Sequence, residues 1–257
     1  MHMCGDEDER LGDNLFRRVR NPASGLCRES EVVYVREHER SSPPAVIMEK
    51  VSVAYGEREI LHGFNLEVRS GERVLLSGPS GSGKSTVLHC VLGLVVPREG
   101  TVTIWGEPVD SSSVWKARLH LGYVPQEPDL GRGTVRQVLE APFFFRANER
   151  LRGNLERIPA WLDRFDLPVH LLDKEASTLS GGEKQRVALI SAILLERSVV
   201  LLDEASSALD QDNKRRVAEY FREAPNLTVL AVSHDAEWAD FATRTVSLAL
   251  MKKEGPK

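Results

Sequence analysis

Long apolar runs are missing from this 257-residue sequence. A helix that crosses a bilayer needs roughly 18 to 20 consecutive apolar residues, whereas the longest runs here, such as Val199 to Leu202, have the length of buried strands. The chain is therefore not expected to span a membrane. A secretory leader is not expected either, because Asp6 to Glu9 is acidic where a positive segment and an apolar stretch are required. Cysteine is scarce, and Cys4, Cys27 and Cys90 lie far apart without CxxC spacing, which excludes a disulfide framework and a thiolate zinc site. A reducing compartment fits best. Positive charge is not in excess: 34 Lys and Arg stand against 38 Asp and Glu, a net charge of -4. Neutralising a phosphate backbone takes a concentrated positive field, so no nucleic-acid partner is expected.

What is present suffices for one globular domain with an appended subdomain, since 41% of residues are hydrophobic and 28% charged. Residues 1–44 mix charges, place few apolar side chains in any period and end in Ser41-Ser42-Pro43-Pro44. They read as a tail with little fixed structure, in which Val32 to Val35 is the stretch able to form a short strand or helical turn. The folded domain is expected over 45–252, followed by a second tail, 253–257. From Ala45 the alternation of Val46, Met48, Val51, Val53 and Tyr55, then Leu61, Phe64, Leu66 and Val68, predicts paired antiparallel strands with turns at Gly56 and Gly63. Short buried strands follow at 73–76, 101–105, 121–124, 199–202, 228–232 and 245–249, with helices over 85–94, 183–195 and 211–223. Such alternation implies an α/β fold with a mainly parallel core sheet. Between them, residues about 130–182 show helical spacing in Val135, Val138 and Leu139 and in Trp161, Leu162 and Phe165, and read as a helical subdomain.

Two segments carry phosphate chemistry. Gly78-Pro79-Ser80-Gly81-Ser82-Gly83-Lys84-Ser85, followed by Thr86, matches GxxxxGK[ST] at every fixed position and sits between a strand and a helix. A triphosphate can be surrounded only where backbone N–H groups converge, and glycines permit the dihedrals that allow it. The helix that follows adds its positive N-terminal end. Lys84 is expected to reach the β- and γ-phosphates of ATP, and the Ser85 hydroxyl to supply an oxygen to Mg²⁺. The second segment, Val199-Val200-Leu201-Leu202-Asp203-Glu204, is a buried strand ending in two carboxylates, the end at which open α/β sheets bind ligands. Asp203 is expected to hold Mg²⁺, and Glu204 to polarise the attacking water as general base.

A third segment, Leu179-Ser180-Gly181-Gly182-Glu183-Lys184-Gln185-Arg186, resembles the signature sequence of the ATP-binding cassette (ABC) family. As a helix cap, Ser180 with Gly181 and Gly182 offers another concave set of N–H donors. The resemblance covers about residues 45–250 and implies a P-loop NTPase cassette with an N-terminal antiparallel β subdomain and a helical signature subdomain. It also implies ATP hydrolysis, with two cassettes closing head to tail so that Ser180, Gly181 and Gly182 meet the nucleotide held by the partner copy. Further positions match. Tyr55 stands where the family stacks a ring on adenine. Gln126, after Gly122-Tyr123-Val124-Pro125, resembles the glutamine that senses Mg²⁺ and water. Ser207-Ala208-Leu209-Asp210 resembles the loop that communicates across the dimer, and His234 the histidine that contacts the γ-phosphate. Glu183 departs from the commoner glutamine, a change that related exporters tolerate. In detail the segments look most like the small ATP-binding subunits of iron-export systems.

The resemblance implies a motor subunit on the cytoplasmic face of the membrane, driving a separate transmembrane permease. Phe143, Phe144 and Phe145 are candidates for the docking groove, because a helix cannot bury three consecutive aromatics on one face. The other class of function weighed is a soluble cassette ATPase working on ribosomes or DNA. Ribosomal members carry two cassettes, and DNA-repair members carry a long coiled coil or zinc cysteines. This chain shows one cassette, no heptads and no CxxC.

Overall fold

The computed structural model describes residues 8–11, 14–19, 33–36, 44–234 and 236–249. Within the expected tail it places three short antiparallel strands, β1 (Asp8–Leu11), β2 (Asn14–Val19) and β3 (Val33–Arg36), in one sheet. The tail expectation is corrected to that extent. Pairing between strands satisfies backbone N–H and C=O groups without a long apolar run, so composition does not reveal it. The rest of 1–43, Asp235 and the second tail lie outside the described residues.

The antiparallel sheet begins one residue before the expected boundary, with β4 (Pro44–Tyr55) turning through Gly56 and Glu57 into β5 (Arg58–Arg69). Its order is β5, β4, β7 (Glu99–Ile104) and β8 (Glu107–Pro108). Gly63 is not a turn. It lies inside β5 at φ 55 and donates its N–H to Ser52 Oγ at 2.9 Å, opposite a shift of register in β4, as a bulge that re-aims the strand.

The second sheet is wholly parallel, in the order β12 (Arg244–Ser247), β6 (Arg73–Ser77), β11 (Thr228–Val232), β10 (Val199–Asp203) and β9 (Leu121–Val124). Every residue of β10 and β11 is buried, which is why these strands read as continuous apolar runs. Alternate side chains go to opposite faces and build two cores. Val74, Leu76, Val199, Leu201, Leu230 and Val232 join α1 (Lys84–Val91) and the antiparallel sheet. Leu75, Val200, Leu202, Val229 and Ala231 join α5 (Gly181–Leu194), α6 (Gln211–Glu223), α7 (Ala236–Phe241) and the helical region. Two short helices, α2 (Val114–Arg118) and α7, carry no clear period in the sequence.

Residues 130–182 are helical mostly in tight turns. Before α5 begins at Gly181, α3 (Val135–Glu140) and α4 (Ile158–Arg164) are the α-helices, while 141–144, 146–157, 169–173 and 176–178 wind as 3₁₀ turns. Pro142, Pro159 and Pro168 each lack a backbone donor and restrict the preceding residue, so no long α-helix can run through them.

Candidate functional site

The phosphate loop leaves β6 at Ser77 and enters α1 through Gly83. At Gly78, φ is 142 and an added Cβ would lie 2.3 Å from the Leu248 carbonyl oxygen. At Gly83, φ is 97 and a Cβ would meet the side chains of Ile60 and Leu61 at 2.9 and 3.0 Å. Only glycine satisfies both, so these two positions bend the chain against its neighbours. Pro79, Ser80 and Gly81 are exposed at the rim, while Ser82, Lys84 and Thr86 are buried. Lys84 curls under the loop, its Nζ donating to the carbonyls of Gly78 at 2.9 Å and Pro79 at 3.1 Å. Ser82 Oγ is buried with no hydrogen-bond partner among the described residues, an unmet group inside the concavity.

The acidic end of β10 meets the start of α1. Ser85 Oγ donates to Asp203 Oδ1 at 3.0 Å. Burial raises the Asp203 carboxyl above the ordinary range, with Glu204 adding to it, while Ser85, His89 and Lys84 pull it down. Glu204 follows at φ 47, a left-handed backbone that costs a non-glycine residue about 1–2 kcal/mol. Its N–H is anchored on the Val232 carbonyl at 2.9 Å. The carboxylate is met from two sides: Gln126 Nε2 donates to Oε2 at 3.1 Å, and His234 Nε2 stands 3.7 Å from Oε1. Lys84, Ser85, Asp203, Glu204, Gln126 and His234 thus converge on the ends of adjacent parallel strands. Tyr55 ends β4 with its ring about half exposed, 54%, free to present a face.

Ser180, Gly181 and Gly182 sit elsewhere in the same chain. Ser180 caps α5 in a reciprocal pair, its Oγ accepting from the Glu183 N–H at 3.3 Å while its own N–H donates to Glu183 Oε2 at 2.8 Å. A Cβ on Gly182 would lie 3.0 Å from the Ala208 carbonyl oxygen, so this turn rests on the Ser207 to Asp210 loop. Asp210 caps α6, accepting from the Asn213 N–H at 2.9 Å. One chain therefore does not bring the Ser180 turn into hydrogen bonding with its own phosphate loop among the described residues.

Gln185, inside the signature segment, has a role that the sequence does not show. It is fully buried and donates Nε2 to the Pro125 carbonyl at 3.1 Å, tying α5 to the turn that carries Gln126. A polar residue on the buried face of α5 was the available signal. The three phenylalanines divide: Phe143 is buried at 1% exposure, which corrects its place among the groove candidates, while Phe144 and Phe145 remain 73% and 69% exposed. Phe143 enters the core because the turn at Pro142 points it inward. The other two border a groove of about 830 Å³ that also touches Tyr123, Pro125, Leu130 and Val138.

Comparison with known proteins gives one answer at each level. The family model described as ABC transporter matches residues 61–207. The probable iron export ATP-binding protein FetA of Escherichia coli (strain K12) is 37% identical over 217 residues, covering 81% of this chain and 93% of that protein. Among solved structures, a dimeric bacterial ABC transporter cassette aligns with a TM-score of 0.69 at 29% identity, over 79% of this chain and 94% of that one. A dimeric cassette in a post-hydrolysis state, bound to ADP and Pi, aligns with a TM-score of 0.69 at 28% identity, over 80% and 97%.

Proposed function

The chain belongs to the ABC transporter family as an ATP-binding, ATP-hydrolysing subunit, and from that premise we propose how its own residues divide the work. The observation that carries the proposal is the convergence of Gln126 and His234 on Glu204, beside the Ser85–Asp203 pair at the mouth of the phosphate loop. Glu204 is the general base. Its carboxylate, placed just past a buried strand, takes the proton of the attacking water, while Gln126 and His234 hold its orientation and contact the water and γ-phosphate. Lys84 leaves the loop carbonyls for the β- and γ-phosphates. The amides from Gly78 to Ser85, with Thr86 following, surround the phosphates, and Tyr55 stacks on the adenine.

Mg²⁺ fits this donor set. The Ser85 hydroxyl and Asp203 carboxylate are hard oxygen donors, and among the described residues no three His, Cys, Asp or Glu gather into a metal cage. That suits an ion whose other ligands are phosphate and water. Bound there by Ser85 and Asp203, with Gln126 adjoining, it would neutralise charge on the phosphates.

Ser180, Gly181, Gly182 and Asp210 serve the nucleotide of a second copy, and the pair closes on two nucleotides. The groove bordered by Phe144 and Phe145 receives a separate transmembrane permease, so that the subunit works at the cytoplasmic face of the membrane. The likeness to FetA makes iron the cargo proposed; iron content of cells lacking the gene is the measurement that decides it.

Glu204→Gln keeps the hydrogen bond from Gln126 within reach but removes the base. Steady ATP turnover should fall by about 10²- to 10⁴-fold, with ATP retained in a dimer that elutes ahead of the free chain on size-exclusion chromatography. Undiminished turnover would remove Glu204 as the base.

A further inference from the structure

We propose that Arg58 is a further nucleotide-binding residue, a guanidinium carried by β5 to the rim of the phosphate loop, where it holds the phosphates nearest the ribose. The inference rests on the nucleotide reading of that loop. β5 runs alongside the loop and meets it through the side chains of Arg58, Ile60 and Leu61. Ile60 meets the position of a Gly83 Cβ at 2.9 Å, and two residues earlier Arg58 Nη2 lies 3.5 Å from that of Gly81. Arg58 also stands opposite Tyr55 in the register of the β4–β5 hairpin. The turn between them is tied down from outside, Arg98 Nη2 donating to the Gly56 carbonyl at 2.9 Å. A ring that can hold a base and a cation over a phosphate loop are therefore fixed on one short turn.

Arg58 is exposed and makes no hydrogen bond or ion pair with another described residue, and the carboxylate of Glu59 next to it is taken by His62 at 2.9 Å. A planar fork of five donors is matched by phosphate oxygens, which it can grip in pairs. The order of a nucleotide decides which ones. With the base on Tyr55 and the terminal phosphates on Lys84, the phosphates next to the ribose pass between Tyr55 and Gly81, beside Arg58. Such a contact is made equally with ATP and ADP, so it sets affinity and leaves the hydrolytic step alone.

The test compares wild type and Arg58→Ala by calorimetric titration with Mg·ATP, ADP and adenosine, alongside steady-state turnover. ATP and ADP should each bind about tenfold more weakly, adenosine should bind as before, and kcat should hold while KM rises. Arg58→Lys should recover part of the loss, because it restores the charge without the fork. Unchanged affinity for ADP overturns the proposal. So does an equal loss for adenosine, which would make Arg58 a brace for the Tyr55 turn. A wild-type protein that takes up no Mg·ATP would instead sink the reading of the loop itself, so the two failures are told apart.

Discussion

At the scale of single residues, the site depends on backbone conformations that most side chains resist. Gly78 is the strictest case, since φ of 142 and a carbonyl oxygen 2.3 Å from any Cβ leave room for nothing larger. Gly78→Ala should abolish measurable ATP binding and lower the melting temperature, because the loop or β12 must shift. Gly56→Ala is the matched control: φ is 62 there, but nothing lies within 4 Å of the added carbon, so about 1 kcal/mol of backbone strain is all that is expected. Nucleotide affinity and thermal melting of both variants check this, and a Gly78→Ala protein that binds ATP normally would contradict it. Lys84, Ser85, Asp203 and Glu204 were legible from sequence because spacing and the strand end place them. Arg58 and Gln185 were not, since each earns its place from a neighbour distant in the chain, Gly81 and Pro125 respectively.

At the scale of elements, local chemistry sets the helix starts. Thr134 with Gln137 and Ser180 with Glu183 form reciprocal caps at α3 and α5. The backbone and side-chain hydrogen bonds of Ser180 hold the Glu183 carboxyl below its usual range. A depressed carboxyl stabilises the fold above its unfolded value and loses that contribution as pH falls through the folded one. Glutamine, commoner in the family, would cap without this dependence. The region 141–178 follows a different rule: its prolines break the helical period into short turns, one of which buries Phe143 and leaves Phe144 and Phe145 at the surface. Phe145→Glu should therefore leave ATP turnover of the isolated subunit unchanged while preventing its recovery with membranes that contain the permease. Retention on those membranes would place docking elsewhere.

At the scale of the whole molecule, the Ser180 turn and the phosphate loop of one chain make separate contacts among the described residues, and the site proposed above takes one from each of two copies. The solved cassettes to which this chain is similar are dimeric. A mixture of Lys84→Ala and Ser180→Arg chains forms some pairs in which an intact loop faces an intact serine turn. Such a mixture should hydrolyse ATP although neither variant does so alone. Turnover no greater than that of the separate variants would mean that each chain acts by itself.

The chemistry of the loop, the acidic strand end and the capped serine turn was determined by sequence alone, because each depends on residues within a few positions of one another. So was the parallel sheet, whose buried strands must be apolar on both faces. Only the tertiary structure decided which phenylalanines reach the surface, that Gly63 is a bulge, that α5 is tied to the Gln126 turn, and that Arg58 overhangs Gly81. These depend on strands and turns far apart in the chain meeting at ångström range, and no local pattern of side chains encodes such a meeting.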